Sequence, residues 1–304
     1  MSGKAGMPVP ITFTMRYVKP GALEAPYHML TYPAVRAAAL KNVEESSLSL
    51  LEELRPFHQG LLDIYAKEQV SDKQDQETYT APRLIDRLQF ANWDATILYG
   101  MVRRNQPKHV IELGQGNSTC LIRQAITDGK FPCDLTVLDP FPDPGIGPVL
   151  ADNMELSWIE DLPIERFQEL GAGDILFIDA PHYVLPATAV PAILLNIIPA
   201  LQEGVWVHLH DIFIGVDVPP RVRQHNYMES YIVMAMLQYG LSGGWFNSVH
   251  SNYLLRAVNI FPDSAKDIDV ELAEKAAAAY QLPFTLPLKQ HGFSLWLQRG
   301  ATQA

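Results

Sequence analysis

The stretch VIELGQGNSTCLIRQAI, residues 110–126, limits what this chain can fold into more than any other. Val110, Ile111 and Leu113 make a short apolar run of the kind buried in a parallel sheet, and the run ends in glycine. Gly114 and Gly116 permit a tight turn, after which Asn117, Ser118 or Thr119 caps a helix that continues through Ile126. In open α/β sheets a strand-to-helix turn of this kind brings backbone close to a ligand, and nucleotides or nucleosides gather beyond the carboxyl ends of the strands.

The third small residue narrows the ligand. A dinucleotide fingerprint reads G-x-G-x-x-G, but the sixth position here is Thr119, so the glycine that packs helix against strand is missing. Glu112, two residues before the first glycine, repels a pyrophosphate and attracts positive charge. S-adenosylmethionine has an ammonium, a sulfonium and no phosphate, and it satisfies both conditions.

Charge and composition restrict the partners. In 304 residues, 34 Asp and Glu outnumber 23 Lys and Arg, and no long basic stretch offers a face that tracks phosphates. A small-molecule substrate is expected, and nucleic acid is not. No stretch approaches the roughly 18–20 apolar residues of a membrane span, so no membrane partner is expected either. Cys120 and Cys133 stand in no metal-like spacing, which fits two reduced thiols and a cytoplasmic location.

Residues 1–32 are rich in Pro and Gly, with an alternating ITFTMRYV segment that reads as a strand or arm. From 32 to 69 the apolar positions recur at helical spacing and break near Pro56, predicting two helices; residues 91–102 predict another. Residues 1–100 therefore read as an arm and helical extension that packs on the sheet or on a second copy of the chain, the latter giving a homo-oligomer. Residues 101–304 hold the nucleoside-binding domain.

LTVLDPFPDP (135–144) predicts a second strand ending in Asp139, which follows Glu112 at a spacing comparable to the roughly 20 residues that separate a glycine turn from a ribose-binding acid. MELSWI (154–159) reads as a third strand, with Glu160 and Asp161 at its end facing the adenine amine. GDILFIDAPHYV (173–184) supplies a fourth strand ending in Asp179, with His182 three residues on, and GVWVHLHD (204–211) a fifth ending in Asp211. Residues 190–201 form the crossover helix between them. The alternation predicts a doubly wound parallel sheet with helices on both faces.

The segments IELGQGNST, FIDAPH, VHLHDIF and MESYIVMAMLQYG, with HGFSLWLQR near the end, resemble a bacterial subgroup of the class I S-adenosylmethionine-dependent methyltransferases, the methyltransferase 24 family, over about residues 77–299. The resemblance implies a Rossmann-like sheet of five parallel strands in the order 3-2-1-4-5, followed by an antiparallel hairpin from WFNSVHSNYLL and GFSLWLQR. It also implies S-adenosylmethionine as cofactor, held by Glu112, Gly114, Gln115, Gly116, Asn117, Ser118, Thr119, Asp139, Pro140, Glu160 and Asp179. Two departures stand out. Gln115 stands where relatives often carry Ser, Gly or Cys and crowds the methionine end of the cofactor, and residues 261–284 read as an insertion with a helix of their own.

Methyl transfer from a sulfonium is an in-line displacement, so the protein has to align donor and acceptor and remove a proton from the acceptor. His182 is the candidate base, because an ordinary imidazole titrates near roughly 6.5. Asp179 and His210 complete the candidate catalytic set, His210 as a lining of the acceptor pocket. Asp179 and Asp211 end neighbouring strands about 4.8 Å apart. The chain resembles the catechol-type O-methyltransferases in this respect, and in those enzymes acids at these strand ends surround Mg²⁺. Asp179 and Asp211 are thus candidate metal ligands and Mg²⁺ a candidate second cofactor, although the position of a third ligand holds Ile212. Glu229 and Tyr231 either reach the same mouth or pack, and Trp158, Trp206, Trp245 and Trp296 are expected in the core. The expected activity is O-methylation of a small molecule; a nicotinamide-dependent oxidoreductase and a non-catalytic cofactor-binding or scaffold protein are the competing readings.

Overall fold

The computed structural model describes residues 50, 52–71, 93–213, 227–239, 246–251 and 294–300. The arm at 1–32, the insertion at 261–284, Trp245 and the first two residues of the helix expected at 91–102 lie outside them. Seven strands form one sheet: β1 (His109–Leu113), β2 (Asp134–Leu138), β3 (Asn153–Glu155), β4 (Ile175–Ile178), β5 (Trp206–Leu209), β6 (Phe246–Ser251) and β7 (Leu295–Arg299). Their order is β3-β2-β1-β4-β5-β7-β6. The first five are parallel, whereas β7 runs antiparallel to both β5 and β6. This is the Rossmann-like arrangement expected from the alternation of strands and helices, closed by the expected hairpin.

Strand periodicity of two explains the layers. Val110, Leu135, Val137, Ile175, Phe177 and Trp206 face one side and share a core with Leu54, Leu61, Leu98 and Met101 and with Leu121 and Ile122. Those partners belong to helices α1 (His58–Ser71), α2 (Trp93–Asn105) and α3 (Asn117–Gly129), or in the case of Leu54 to the turn before Pro56. The intervening residues Ile111, Leu113, Leu176, Ile178, Val207 and Leu209 face the other side, against the crossover helix α4 and helix α5 (Glu229–Tyr239). α4 consists of Ala189–Ala192, a wide π segment Ile193–Ile197 and a last turn Ile198–Ala200. Pro199 closes that wide segment and has no N–H to return to the preceding turn. α2 runs across position 100 and its side chains are continuous with the sheet core, so the described part of the helical extension shares one core with the sheet.

The third strand is shorter than the sequence suggests. It ends at Glu155, and Ile159–Asp161 is a 3-10 turn beyond the sheet. Trp158 therefore lies outside the core, 47% exposed, with its ring edge-on to Phe141 at 5.4 Å. Trp206 and Trp296 are buried as expected. Among the described residues no helix is long and apolar enough to cross a membrane.

Candidate active site

The parallel register aligns the chemistry at the carboxyl edge of the sheet. Leu113 pairs with Leu138 on one side and with Ile178 on the other, and Ile178 pairs with Leu209. The residues just past these pairs, Asp139, Gly114, Asp179 and His210, therefore stand side by side. Their backbones stay in the ladder: Gly114 N–H donates to Leu138 O, Asp179 N–H to Leu113 O and His210 N–H to Ile178 O, at 2.9, 2.9 and 3.0 Å. Gly114 has φ +83°, and a Cβ there would sit 2.1 Å from the Asp179 carbonyl oxygen, so this turn needs glycine on both counts. Gly116 has φ 172°, ordinary extended backbone, and a Cβ there would meet nothing within 4 Å. Its side of the turn opens into free space.

Beneath that space lies Glu112, fully buried on β1. The Ser118 hydroxyl donates to its Oε1 at 2.6 Å, while Oε2 has no hydrogen-bond partner. Burial pushes its carboxyl up to about 8, opposed by the nearby hydroxyls of Ser118 and Thr119, and the charges of Asp179 and Asp139 push the same way as burial. Asn117, also buried, leaves Nδ2 unpaired beside this turn. A buried acceptor and a buried donor with unmet hydrogen-bonding capacity are costly in isolation. They suit a zwitterionic ligand whose ammonium meets Glu112 and whose carboxylate meets Asn117.

Asp139 and Gln115 brace this turn. Asp139 Oδ2 accepts the Gln115 N–H at 3.2 Å and Oδ1 the Phe141 N–H at 2.7 Å. The Gln115 side chain does not crowd the turn: its Oε1 accepts the Gly147 N–H at 2.6 Å and its Nε2 donates to Asp143 O at 3.2 Å. It spans from the first glycine turn to the loop after β2. The helix cap also differs from expectation, since Gly116 is the N-cap of α3 and the Thr119 hydroxyl oxygen accepts its N–H at 3.1 Å. Pro140 is half-buried next to Asp139, and Glu160 lies half-buried in the 3-10 turn past β3.

The second cluster surrounds His182. Its Nδ1 is hydrogen-bonded to Glu229 at the start of α5, and both side chains are buried. Its Nε2 stands 3.7 Å from Asp179 Oδ1 and 3.6 Å from Asp211 Oδ2. Burial works to lower the imidazole's value, but the hydrogen bond and charge of Glu229, with the charges of Asp211 and Asp179, lift it to about 9. Burial pushes the Glu229 carboxyl up, opposed by His182. His182 is therefore mostly cationic at neutral pH, not poised near an ordinary 6.5. His210 is buried with its Nε2 3.9 Å from Asp211 Oδ1; burial lowers its value, and Asp179, Asp211 and Asp94 together raise it more.

Asp179 and Asp211 do not make the cation site suggested by their strand ends. The register sets His210, not Asp211, beside Asp179. Asp211 follows in a left-handed turn with φ +54°, and the two carboxylates both approach His182 Nε2. Among the described residues no group of three or more His, Cys, Asp and Glu side chains is arranged to hold a metal ion, and the third-ligand position is the buried Ile212. Mg²⁺ does not fit this donor set. His208 belongs to the core: it stacks on Phe177 at 3.9 Å, its Nε2 lies 2.7 Å from Ser294 Oγ, and burial holds its value well below the usual imidazole range.

Three contributors escaped the sequence. Tyr227, whose ring lies 4.2 Å from the His182 ring, bonds to Asp211 through its hydroxyl; burial and Asp211 push that hydroxyl far up. Ser230 accepts the Phe213 N–H at 2.9 Å and fixes the turn after β5. Asp94, buried on α2, accepts the Ser294 N–H at 3.0 Å, and its charge raises the value of His210. The YMES run was visible, but nothing in its spacing says that it returns to the ends of β4 and β5.

A family model described as a methyltransferase domain, methyltransferase 24, matches residues 111–212. No curated protein matches the chain at a significant level. Among solved structures, similarity is found to the SAH-bound Podospora anserina methyltransferase PaMTH1, at 12% identity over 78% of this chain and 87% of that one, with a TM-score of 0.33. The plantazolicin methyltransferase BamL, solved with a triazolic desmethylPZN analog and SAH, is similar at 12% identity over 86% and 99%, with a TM-score of 0.40. A Thermobifida fusca YX protein provisionally described as a methyltransferase is similar at 14% identity over 68% and 82%, with a TM-score of 0.38.

Proposed function

We propose that the chain, whose residues 111–212 match a methyltransferase-domain family model, is a class I S-adenosylmethionine-dependent methyltransferase that methylates a hydroxyl oxygen on a small, non-anionic molecule and uses His182 as the base. The observation that carries the cofactor side is Glu112, a fully buried carboxylate with one oxygen satisfied by Ser118 and the other unmatched. Glu112 receives the ammonium of S-adenosylmethionine, Asn117 Nδ2 donates to its carboxylate, and the open side of Gly116 admits its methionine portion. Asp139 accepts from the ribose hydroxyls, with Pro140 and Glu160 toward the adenine. When bound there, the cofactor supplies an activated methyl carbon.

On the acceptor side, His182 takes the hydroxyl proton at Nε2 as the oxygen becomes a nucleophile. Asp179 and Asp211 stabilise the imidazolium that results, and they make the mouth hostile to acceptors bearing carboxylate or phosphate. His210 lines the same mouth.

Calorimetry with S-adenosylhomocysteine and with NAD tests the cofactor side: binding of the former and no binding of the latter is expected. Transfer of labelled methyl to a panel of phenols, sugars, amines and phenolic carboxylates tests the acceptor side. Labelling of the neutral hydroxyl compounds supports the reading. Labelling of amines alone, or of anionic acceptors in preference, overturns it.

A further inference from the structure

The four residues Tyr227 to Ser230 enter α5 and reach both loops that leave β4 and β5. Met228 and Glu229 donate their backbone N–H groups to the His182 carbonyl at 2.9 and 3.3 Å. The Glu229 carboxylate holds His182 Nδ1, Tyr227 packs its ring against the imidazole while its hydroxyl bonds Asp211, and Ser230 secures Phe213 N–H. One turn of helix thus grips His182 by its main chain and by one ring nitrogen. The other nitrogen faces Asp179 and Asp211, with His210 behind them.

Glu229 is almost fully buried, where a carboxylate is expensive unless its charge is used. A helix start is served by an acid that stays in water, so the position in the first turn of α5 does not explain the burial. An imidazole that donates from Nδ1 can accept only at Nε2 once its second proton has gone. We infer that Glu229 is a positioning residue, which by gripping Nδ1 fixes the ring orientation and tautomer that present His182 Nε2 to the acceptor hydroxyl. This rests on the proposed methyl transfer for the identity of the acceptor, but not for the existence of the pair.

The test uses the full chain and two readouts. In the first, proton NMR of the native protein shows a far-downfield imidazole resonance from the Nδ1 proton bonded to a buried carboxylate. His182→Gln removes it, which assigns it, and Glu229→Gln, isosteric and uncharged, removes it or moves it well upfield. In the second, Glu229→Gln lowers kcat roughly tenfold or more with little change in KM for S-adenosylmethionine, and the same change made in the His182→Gln protein costs nothing further. If Glu229→Gln does not fold, Glu229→Asp, which keeps the charge on a shorter arm, takes its place with the same expected outcomes. An unaltered resonance, or losses that multiply in the double variant, overturns the inference. Should no hydroxyl acceptor be methylated, the methyl-transfer reading fails while the resonance still decides the role of Glu229.

Discussion

Glu112 and Ser118 face each other across the turn from β1 into α3, joined by a 2.6 Å hydrogen bond to one carboxylate oxygen while the other stays buried and unpaired. Because burial has raised this carboxyl to about 8, the empty protein holds it mostly protonated at neutral pH. An incoming ammonium favours the charged form, so binding expels a proton. Between about pH 6 and 7.5 the affinity for S-adenosylhomocysteine should rise by up to about tenfold per pH unit. Glu112→Gln should bind about ten- to a hundredfold more weakly at pH 7.5, as expected for one charge-assisted hydrogen bond, and should lose the rising limb in calorimetry.

The same residue should act on stability with the opposite sign. A carboxyl raised from 4.5 to about 8 on folding makes the folded state hold a proton that the unfolded state releases, so stability falls as pH rises across that window. Glu112→Gln keeps an acceptor for Ser118 and removes the penalty. In the absence of ligand it should be more stable than the native protein at pH 8 by roughly 4 kcal/mol, and equal to it near pH 4.5, by denaturant titration. A variant stabler when empty yet weaker in binding would mark a group kept for its ligand.

Gly114 and Gly116 should respond differently to alanine. At Gly114 the new Cβ meets the Asp179 carbonyl oxygen at 2.1 Å in a left-handed backbone, so Gly114→Ala should lose roughly 2 kcal/mol or more of stability, together with ligand binding. At Gly116 neither strain nor contact opposes the methyl group. Gly116→Ala should keep its melting temperature and weaken S-adenosylhomocysteine binding, because the methyl group takes space proposed for the ligand.

Chelation gives a direct check on the acid pair. Since Asp179 and Asp211 both stand against His182 Nε2, which fills the space between them, activity after EDTA dialysis should stay within about twofold of the untreated value, and added Mg²⁺ should not raise it. Loss with EDTA and recovery with Mg²⁺ would reinstate the cation site.

Much of this was legible because strand periodicity and glycine chemistry are local. The five strands and the carboxylates at their ends follow from apolar runs that stop at an acid or a glycine, whereas the hairpin came from the family resemblance. β3 was read too long because MELSWI alternates well enough for a strand, whereas pairing with β2 stops at Glu155 and releases Trp158 to the surface. The relation of the two acids was not legible: Asp211 lies one residue past the neighbour of Asp179, in a left-handed turn that a strand pattern does not announce. His182 could be picked out as a base, but its basicity depends on Glu229, which is 47 positions away in the chain and meets it only through the return of α5.

That dependence sets the pH behaviour of the reaction. A base must be neutral to accept a proton, and His182 is held charged up to about 9 by Glu229, Asp211 and Asp179 against the effect of burial. The rate at low acceptor concentration should therefore climb about tenfold per pH unit from neutrality and level off near pH 9, after correction for cofactor binding. Stability should move the other way. An imidazole raised from 6.5 on folding contributes stabilisation that is complete below about 6.5 and is lost as pH rises through 9. His182→Gln should flatten the alkaline limb of both curves and lower kcat by roughly a hundredfold or more, with S-adenosylhomocysteine affinity unchanged. A rate that levels near pH 6.5 would instead mean that the carboxylates around His182 do not govern its proton.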